Sequence, residues 1–470
     1  MEYLTKDVKY NIDKIDTLIG VNISFDIGRR ELVILDKQIY LYYLSSLIDS
    51  QALTLIITNL LKLNDEPNKN DDYFELIVNN IAYENIKYQT NLQNICEDIL
   101  NGLVVVIVEG EERAISVELR KYPTRSISEP DMEKVIRGPH DGFTENLSVN
   151  IALLRRRIKD IRLRNIIYPV GTKSKTNCCI SYLEGVCDPS LIRMVCDRLK
   201  QINTLHLILT DKALEEMLLK QKFNPYPLVR YTERADTVAV HLYQGMIAIF
   251  VDTSPSVILA PATLFDHLQH FEEYRQTPLA GTYLRFLRFG GVLLSVFLTP
   301  LYLLLSLYPN YIPSFLSFLF ENPNLNLPIF WQLILAEIGV EFLRMASIHT
   351  PNALSTAMSL IAGILIGDIA IRLGFFNESV VLLVALAAIG TYITPSYELG
   401  LANKITKLFF LCLIYIGGFW GFVIGVVAWF IYLCSLKSFN KPYLSPLVPF
   451  NFSKILKVLI RFPYTNNKKR

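Results

Sequence analysis

The stretch FGGVLLSVFLTPLYLLLSLY, Phe289–Tyr308, decides the fold class. It is about twenty residues without a charge, the length a helix needs to cross the hydrocarbon core of a bilayer. Arg285 and Arg288 stand just before it and place its start on the cytoplasmic side. Downstream, prolines and polar residues divide the apolar text. Residues 309–328 form an aromatic, proline-broken loop suited to the outer interface, and 329–348 are apolar but interrupted by charge. Residues 353–374 and 380–394 follow, and 405–436 are long enough to span with tilt. Of these five segments four are expected to cross, with 329–348 embedded without a clean crossing, because two cytoplasmic ends require an even number.

Working outward, the first 280 or so residues read as ordinary soluble protein. The opening MEYLTKD has no apolar core of the kind a signal peptide carries, so this head is expected to remain in the cytoplasm. The 470 residues are 51% hydrophobic and 19% charged, below the quarter typical of soluble domains. The net charge of +2 hides a polarity: after Glu398 no acidic residue follows, but ten basic ones do, from Lys404 and Lys407 to Arg470. An acidic body with a basic tail after apolar segments suggests a tail on the anionic cytoplasmic leaflet, with membrane lipids as a partner. Nucleic acid is a poor partner, since no basic groove with stacking aromatics is evident.

The expected fold class is an α/β cytoplasmic head of two subdomains followed by an α-helical transmembrane domain. The divisions are 1–125, 126–281, 282–436 and a basic tail at 437–470. In the head, Gly102–Glu109, Ala114–Leu119, Val238–Leu242 and Met246–Asp252 read as strands, and Tyr40–Leu63 as helix. A helix over Asn146–Arg164 carries Arg155, Arg156, Arg157, Lys159, Arg162 and Arg164. These are either a solvated face or a contact with acidic neighbours or lipid headgroups.

Ionisable groups inside a membrane are costly and line a watery path or pair with one another. Glu337, Glu341 and Arg344 fall at i, i+4 and i+7, on one helix face. They form either an internal ion-pair cluster or a charged vestibule. His349, Thr350 and Pro351 mark a helix break, tolerated where backbone is buried in protein or lines a cavity. Ser355, Ser359, Gly363 and Gly367 repeat every four residues, either for close helix packing or to line a narrow pore that Ile366 constricts. Asp368 and Arg372 near its end are a salt bridge or part of an ion-controlling ring. Gly417, Gly421 and Gly425 form a second small stripe, read as packing.

Catalytic signals are absent: there is no G-x-G-x-x-G, Walker loop or H-E-x-x-H. His267 and His270, beside Asp266 and Glu273, read as a solvated helix rather than a metal site. The seven cysteines contain no C-x-x-C pair and are expected to be reduced. No catalytic residue, metal or cofactor is expected.

Several blocks resemble the A subunits of GerA-type spore germination receptors. They are Ser126–Glu145 continuing to Asn150–Arg157, Tyr231–Asp236, Phe250–Pro255 and Thr394–Leu399, within a resemblance covering roughly residues 100–435. Glu341–Met358 resembles a sporulation-stage branch of the family more than the nutrient-receptor subunits. The resemblance implies the spore inner membrane, an oligomeric, pentameric cation channel for monovalent cations, and other integral membrane germination proteins as partners. That branch is associated with ion release that amplifies germination. The expected function is therefore a channel subunit lined by Ser355, Ser359, Gly363, Ile366 and Gly367, with Glu337, Glu341 and Asp368 concentrating cations. The alternatives are the A subunit of a nutrient germinant receptor and a non-conducting scaffold.

Overall fold

The computed structural model describes residues 2–65, 72–83, 85–121, 138–207, 210–219, 223–320, 327–349, 363 and 369–463. The chain forms two compact units: residues 1–221 with 231–261, and residues 222–230 with 262–470.

The first unit is built twice from one plan. Its first half runs α1 (Val8–Ile19), β1 (Ile27–Ile34), β2 (Lys37–Leu44), α2 (Ser50–Lys62), α3 (Tyr73–Asn80), β3 (Ile86–Gln89), α4 (Leu92–Leu100), β4 (Val104–Val108) and β5 (Ala114–Val117). Its second half runs α5 (Leu147–Arg157), β6 (Leu163–Val170), β7 (Thr176–Leu183), α6 (Pro189–Gln201), α7 (Thr210–Leu219), β8 (Arg230–Thr232), α8 (Ala235–Tyr243), β9 (Ile247–Val251) and β10 (Val257–Ala260). The sheets have matching orders, β1-β2-β4-β5-β3 and β6-β7-β9-β10-β8. In the first, α1 and α4 bury their apolar stripes on one face and α2 and α3 on the other.

Equivalent caps open the two halves. Thr5 N–H donates to Asn11 Oδ1 at 3.0 Å and Asn11 Nδ2 to the Thr5 carbonyl at 2.6 Å, while Asp7 caps α1. Thr144, Asn150 and Asn146 repeat the arrangement at 2.7 and 2.6 Å. Where the halves meet, Arg155 is paired with Asp26 at 2.8 Å, both essentially fully buried, and Asn165 Nδ2 donates to the same carboxylate.

Four expectations are corrected here. Tyr40–Leu44 belongs to strand β2, held between β1 and β4, and the helix begins only at Ser50 behind the Asp49 cap. Val238–Leu242 lies in helix α8, because its apolar side packs into the second half's core as a helical face. The helix over Asn146–Arg164 stops at Arg157 and strand β6 takes over. Arg155 and Arg164 face the interior rather than solvent; Arg164 donates to the carbonyls of Ile19 and Ile161. Met246–Asp252 does contain a strand, the fully buried β9.

The second unit contains α9 (Leu264–Leu268), α10 (Glu272–Arg275), α11 (Pro278–Leu307), α12 (Ile329–His349), α13 (Ala370–Arg372), α14 (Glu378–Tyr392), α15 (Tyr397–Ser435) and α16 (Phe452–Leu459). Two of these, α11 and α15, are long and apolar enough to cross a membrane.

The 39-residue α15 is not straight. Gly418 has φ 54° and ψ −132°, a conformation open to glycine without a Cβ penalty. The chain reverses there. In a straight helix Phe410 and Trp429 would lie about 28 Å apart, yet their rings are 6.1 Å apart, and both pack on Phe297 of α11. The arms touch closely: a Cβ on Gly421 would come within 2.0 Å of the Leu413 carbonyl oxygen. The glycine stripe therefore serves packing at Gly421 and Gly425, while Gly417 faces open space.

Contacts at each end fix the helix directions. Tyr308, at the end of α11, accepts from Phe419 N–H at the hairpin tip. Beside the tip, α12 starts with Phe330 stacked on Tyr415, and it descends until Arg344 meets Tyr397. Helix α14 also starts at the tip end, where Asn377 N–H donates to Gln332 Oε1, and it descends to the Gly390–Gly291 crossing. Helices α12 and α14 thus run the same way.

Replacing Gly421 by Leu should destabilise the protein by about 1–3 kcal/mol through overpacking, read as a lower thermal midpoint in detergent. Gly417→Leu, with no atom near its Cβ, should leave the midpoint nearly unchanged.

Candidate functional site

Charge is concentrated where α12 faces the first arm of α15. The two run antiparallel, so Glu337 meets Lys407, Glu341 meets Lys404, and Arg344 meets Tyr397. Helical spacing makes this register possible: Glu337 and Glu341 are four apart and Lys404 and Lys407 three apart, so each pair shares a face.

The deeper pair is dry. Lys407 Nζ lies 2.6 Å from Glu337 Oε1, with side chains 1% and 8% exposed. Both ions have left water, so each depends on the other. The outer group is wetter: Glu341 sits between Arg344 and Lys404, and Arg344 Nη1 donates to Tyr397 OH at 2.5 Å. Ser396 caps α15 at Leu399 N–H and so sets where Tyr397 begins the helix. Arg344, Lys404 and Tyr397, with Thr391, Thr394 and Ser396, line a cavity of about 150 Å³ at this end. Toward the hairpin tip, Gln332 is buried and holds the Leu327 carbonyl and Asn377 N–H. Thr299 Oγ1 and Asn403 Nδ2 are buried without a hydrogen-bond partner among the described residues.

A second network holds the arms of α15 together. Tyr226 OH lies 2.7 Å from Thr406 Oγ1 on the first arm, and Trp429 Nε1 on the second donates to it at 2.6 Å. Asn224 Oδ1 accepts from Tyr432 OH at 2.8 Å. Burial raises the Tyr226 phenol above its ordinary value, so it stays a neutral donor and acceptor.

Of the residues singled out in the sequence, Glu337, Glu341 and Arg344 do share a face, each matched to a partner. Lys404 and Lys407, counted above with the basic tail, are instead interior members of the cluster. Gly363 is exposed, His349 closes α12, and Arg372 ends the short α13. Thr350, Pro351, Ser355, Ser359, Ile366, Gly367 and Asp368 lie outside the described residues. His267 is buried rather than solvated; burial and the nearby Arg230 pull its pKa down to about 4. No cluster of metal-ligating side chains occurs among the described residues.

The model of the Bacillus/Clostridium GerA spore germination protein family matches residues 13–470. The chain belongs to the GerA family. Stage V sporulation protein AF of Bacillus subtilis is 46% identical over 443 residues, covering 94% of this chain and 90% of that protein. Spore germination protein KA and spore germination protein A1 of the same organism are 27% and 29% identical, covering 97% and 92% of this chain and 85% and 89% of their own lengths. The N-terminal domain of the A subunit of the Bacillus megaterium spore germinant receptor GerK3 covers 56% of this chain and 98% of that chain, with 26% identity and a TM-score of 0.44. The Thr394–Leu399 block common to the resemblance contributes Ser396 and Tyr397 to the charged site described above.

Exchanging Lys407 for Met should destabilise this GerA protein by about 3–5 kcal/mol, because Glu337 is left buried and unpaired. Adding Glu337→Gln should restore most of that loss. Chemical denaturation of the single and double variants in lipid nanodiscs measures both.

Proposed function

We propose that this GerA-family protein is a spore germination membrane protein acting as the subunit of an oligomeric, ring-forming cation channel that releases ions from the spore core. The observation that carries this reading is the set of five ionisable residues, Glu337, Glu341, Arg344, Lys404 and Lys407, brought together where α12 faces the first arm of α15. Such groups are costly in a membrane and mark ion paths or switches. Here they are matched in register, which suits a latch: two helices held closed by pairs that can exchange partners. Residues 353–374 follow the latch helix directly, and their small-residue stripe, Ser355, Ser359, Gly363 and Gly367, would line the pore with Ile366 as its constriction.

The helix directions favour six crossings rather than four. Helix α11 ascends, α12 and α14 descend, and the two arms of α15 ascend and descend. The expected crossing at 353–374, read from the sequence, would be the remaining ascent between α12 and α14. Both ends then lie on the cytoplasmic side of the spore inner membrane, where Arg285 and Arg288 belong. A cysteine replacing Trp420, with Cys412 and Cys434 changed to serine, should react with an impermeant maleimide added on the outer side. With four crossings and one straight final span, that position lies at mid-bilayer and stays unlabelled.

The conduction test is potassium flux from liposomes holding the purified protein. Ile366→Ala should raise the flux severalfold over wild type. Equal flux would remove Ile366 from the constriction, and none from either would favour a scaffold. A second reading, the A subunit of a nutrient receptor, draws on the likeness to spore germination proteins KA and A1. Copurification with a nutrient-binding membrane subunit would support it.

A further inference from the structure

The C-terminal helix α16 is amphipathic in a way the rest of its unit does not use. Phe452, Ile455, Leu456 and Leu459 fall at i, i+3, i+4 and i+7 on one face, and Lys454 and Lys457 lie on the opposite side. No residue of α16 is buried, and the flanking Phe450 and Phe462 are 71% and 51% exposed.

Its position relative to α11 is nevertheless fixed. The Arg285 guanidinium donates to the carbonyls of Lys457 and Val458 at 3.0 Å each and pairs with the buried Glu273 at 2.7 Å. Arg461 N–H donates to Thr282 Oγ1 at 3.1 Å, and its guanidinium to the carbonyls of Tyr274 and Gln276. These bonds hold α16 level with Thr282–Arg285, one turn before the apolar run of α11 begins at Phe289. That is the depth of lipid headgroups, where an exposed apolar face meets acyl chains and a cationic face meets phosphates.

Beside α16 lies a cavity of about 370 Å³, lined by Tyr274, Arg285, Lys457, Ile460, Arg461 and Phe462. Residues 270–288 and 452–463 together carry six arginines and lysines against two glutamates, and Glu273 is already shared by Arg285 and Arg288. The cavity is therefore cationic, with aromatic and aliphatic walls.

We propose that α16 lies in the plane of the membrane at the cationic end of α11, and that the cavity beside it holds the phosphate of an anionic phospholipid. The apolar face would enter the acyl region while Lys454, Lys457 and Arg461 hold the headgroup.

The test uses the full-length protein in neutral detergent, titrated with phosphatidylglycerol or phosphatidylcholine and read by native mass spectrometry. Phosphatidylglycerol should be retained preferentially. Lys454→Glu and Lys457→Glu, both at exposed positions, should each weaken retention about fivefold. Equal retention of both lipids, or no response to either charge reversal, overturns the proposal. Displacement by millimolar inorganic phosphate would assign the cavity to a free anion and also overturn it. For the in-plane placement, Phe452→Trp should add fluorescence that lipids brominated near the headgroup quench more than lipids brominated near the chain ends. Added fluorescence that neither lipid quenches refutes that placement.

Discussion

Charge buried in an apolar bundle allows few arrangements, and the Glu337–Lys407 pair sets the one adopted here. A carboxylate or an ammonium alone at that depth would cost several kcal/mol, so the two must meet. Their meeting fixes the register of α12 against the first arm of α15, and the outer pairs follow from it. With Glu337 at Lys407, helical rise brings Glu341 to Lys404 and Arg344 to Tyr397. A slip of one residue would turn Lys407 about 100° off the interface and leave both ions unpaired.

The second constraint is the reversal at Gly418. Hydropathy counts residues but does not see dihedral angles, so residues 405–436 read as one tilted span. One glycine with positive φ, and a second at Gly421 that lets Leu413 approach, turn the same residues into two antiparallel arms. The arms are worth joining because they bury Phe410, Trp429 and Phe297 against one another.

Much of this was legible in the sequence, and the remainder was hidden for physical reasons. The apolar run at Phe289–Tyr308 and the shared face of Glu337, Glu341 and Arg344 follow from length and period alone. The partners Lys404 and Lys407 do not, since a tally of basic residues after Glu398 cannot separate a buried ammonium from a solvated tail. The duplicated plan of the first unit was hard to see because a clear part of what its halves share, Thr5, Asp7 and Asn11 against Thr144, Asn146 and Asn150, is a few short polar residues. That signature is capping chemistry, which leaves the strands free to diverge. Strand β2 and helix α8 depart from their local propensity because neighbours override it: β2 is held by a strand on each side, and Ala235, Val238, Ala239 and Leu242 of α8 share a helical face in the core.

The first arm of α15 is held on different faces by two kinds of bond. Lys404 and Lys407 tie it to α12, and Thr406, roughly 100–200° around the helix from them, ties it through Tyr226 to Trp429 on the second arm. Tyr226 belongs to residues 222–230, an excursion whose chain continues at both ends into the first unit. The hydroxyl that joins the hairpin arms therefore comes from outside the helices it links. Lys407, fully buried and paired to one carboxylate, sits next to Thr406 on that arm. The bond that joins the hairpin arms and the costliest electrostatic contact thus lie on one helix, less than a turn apart.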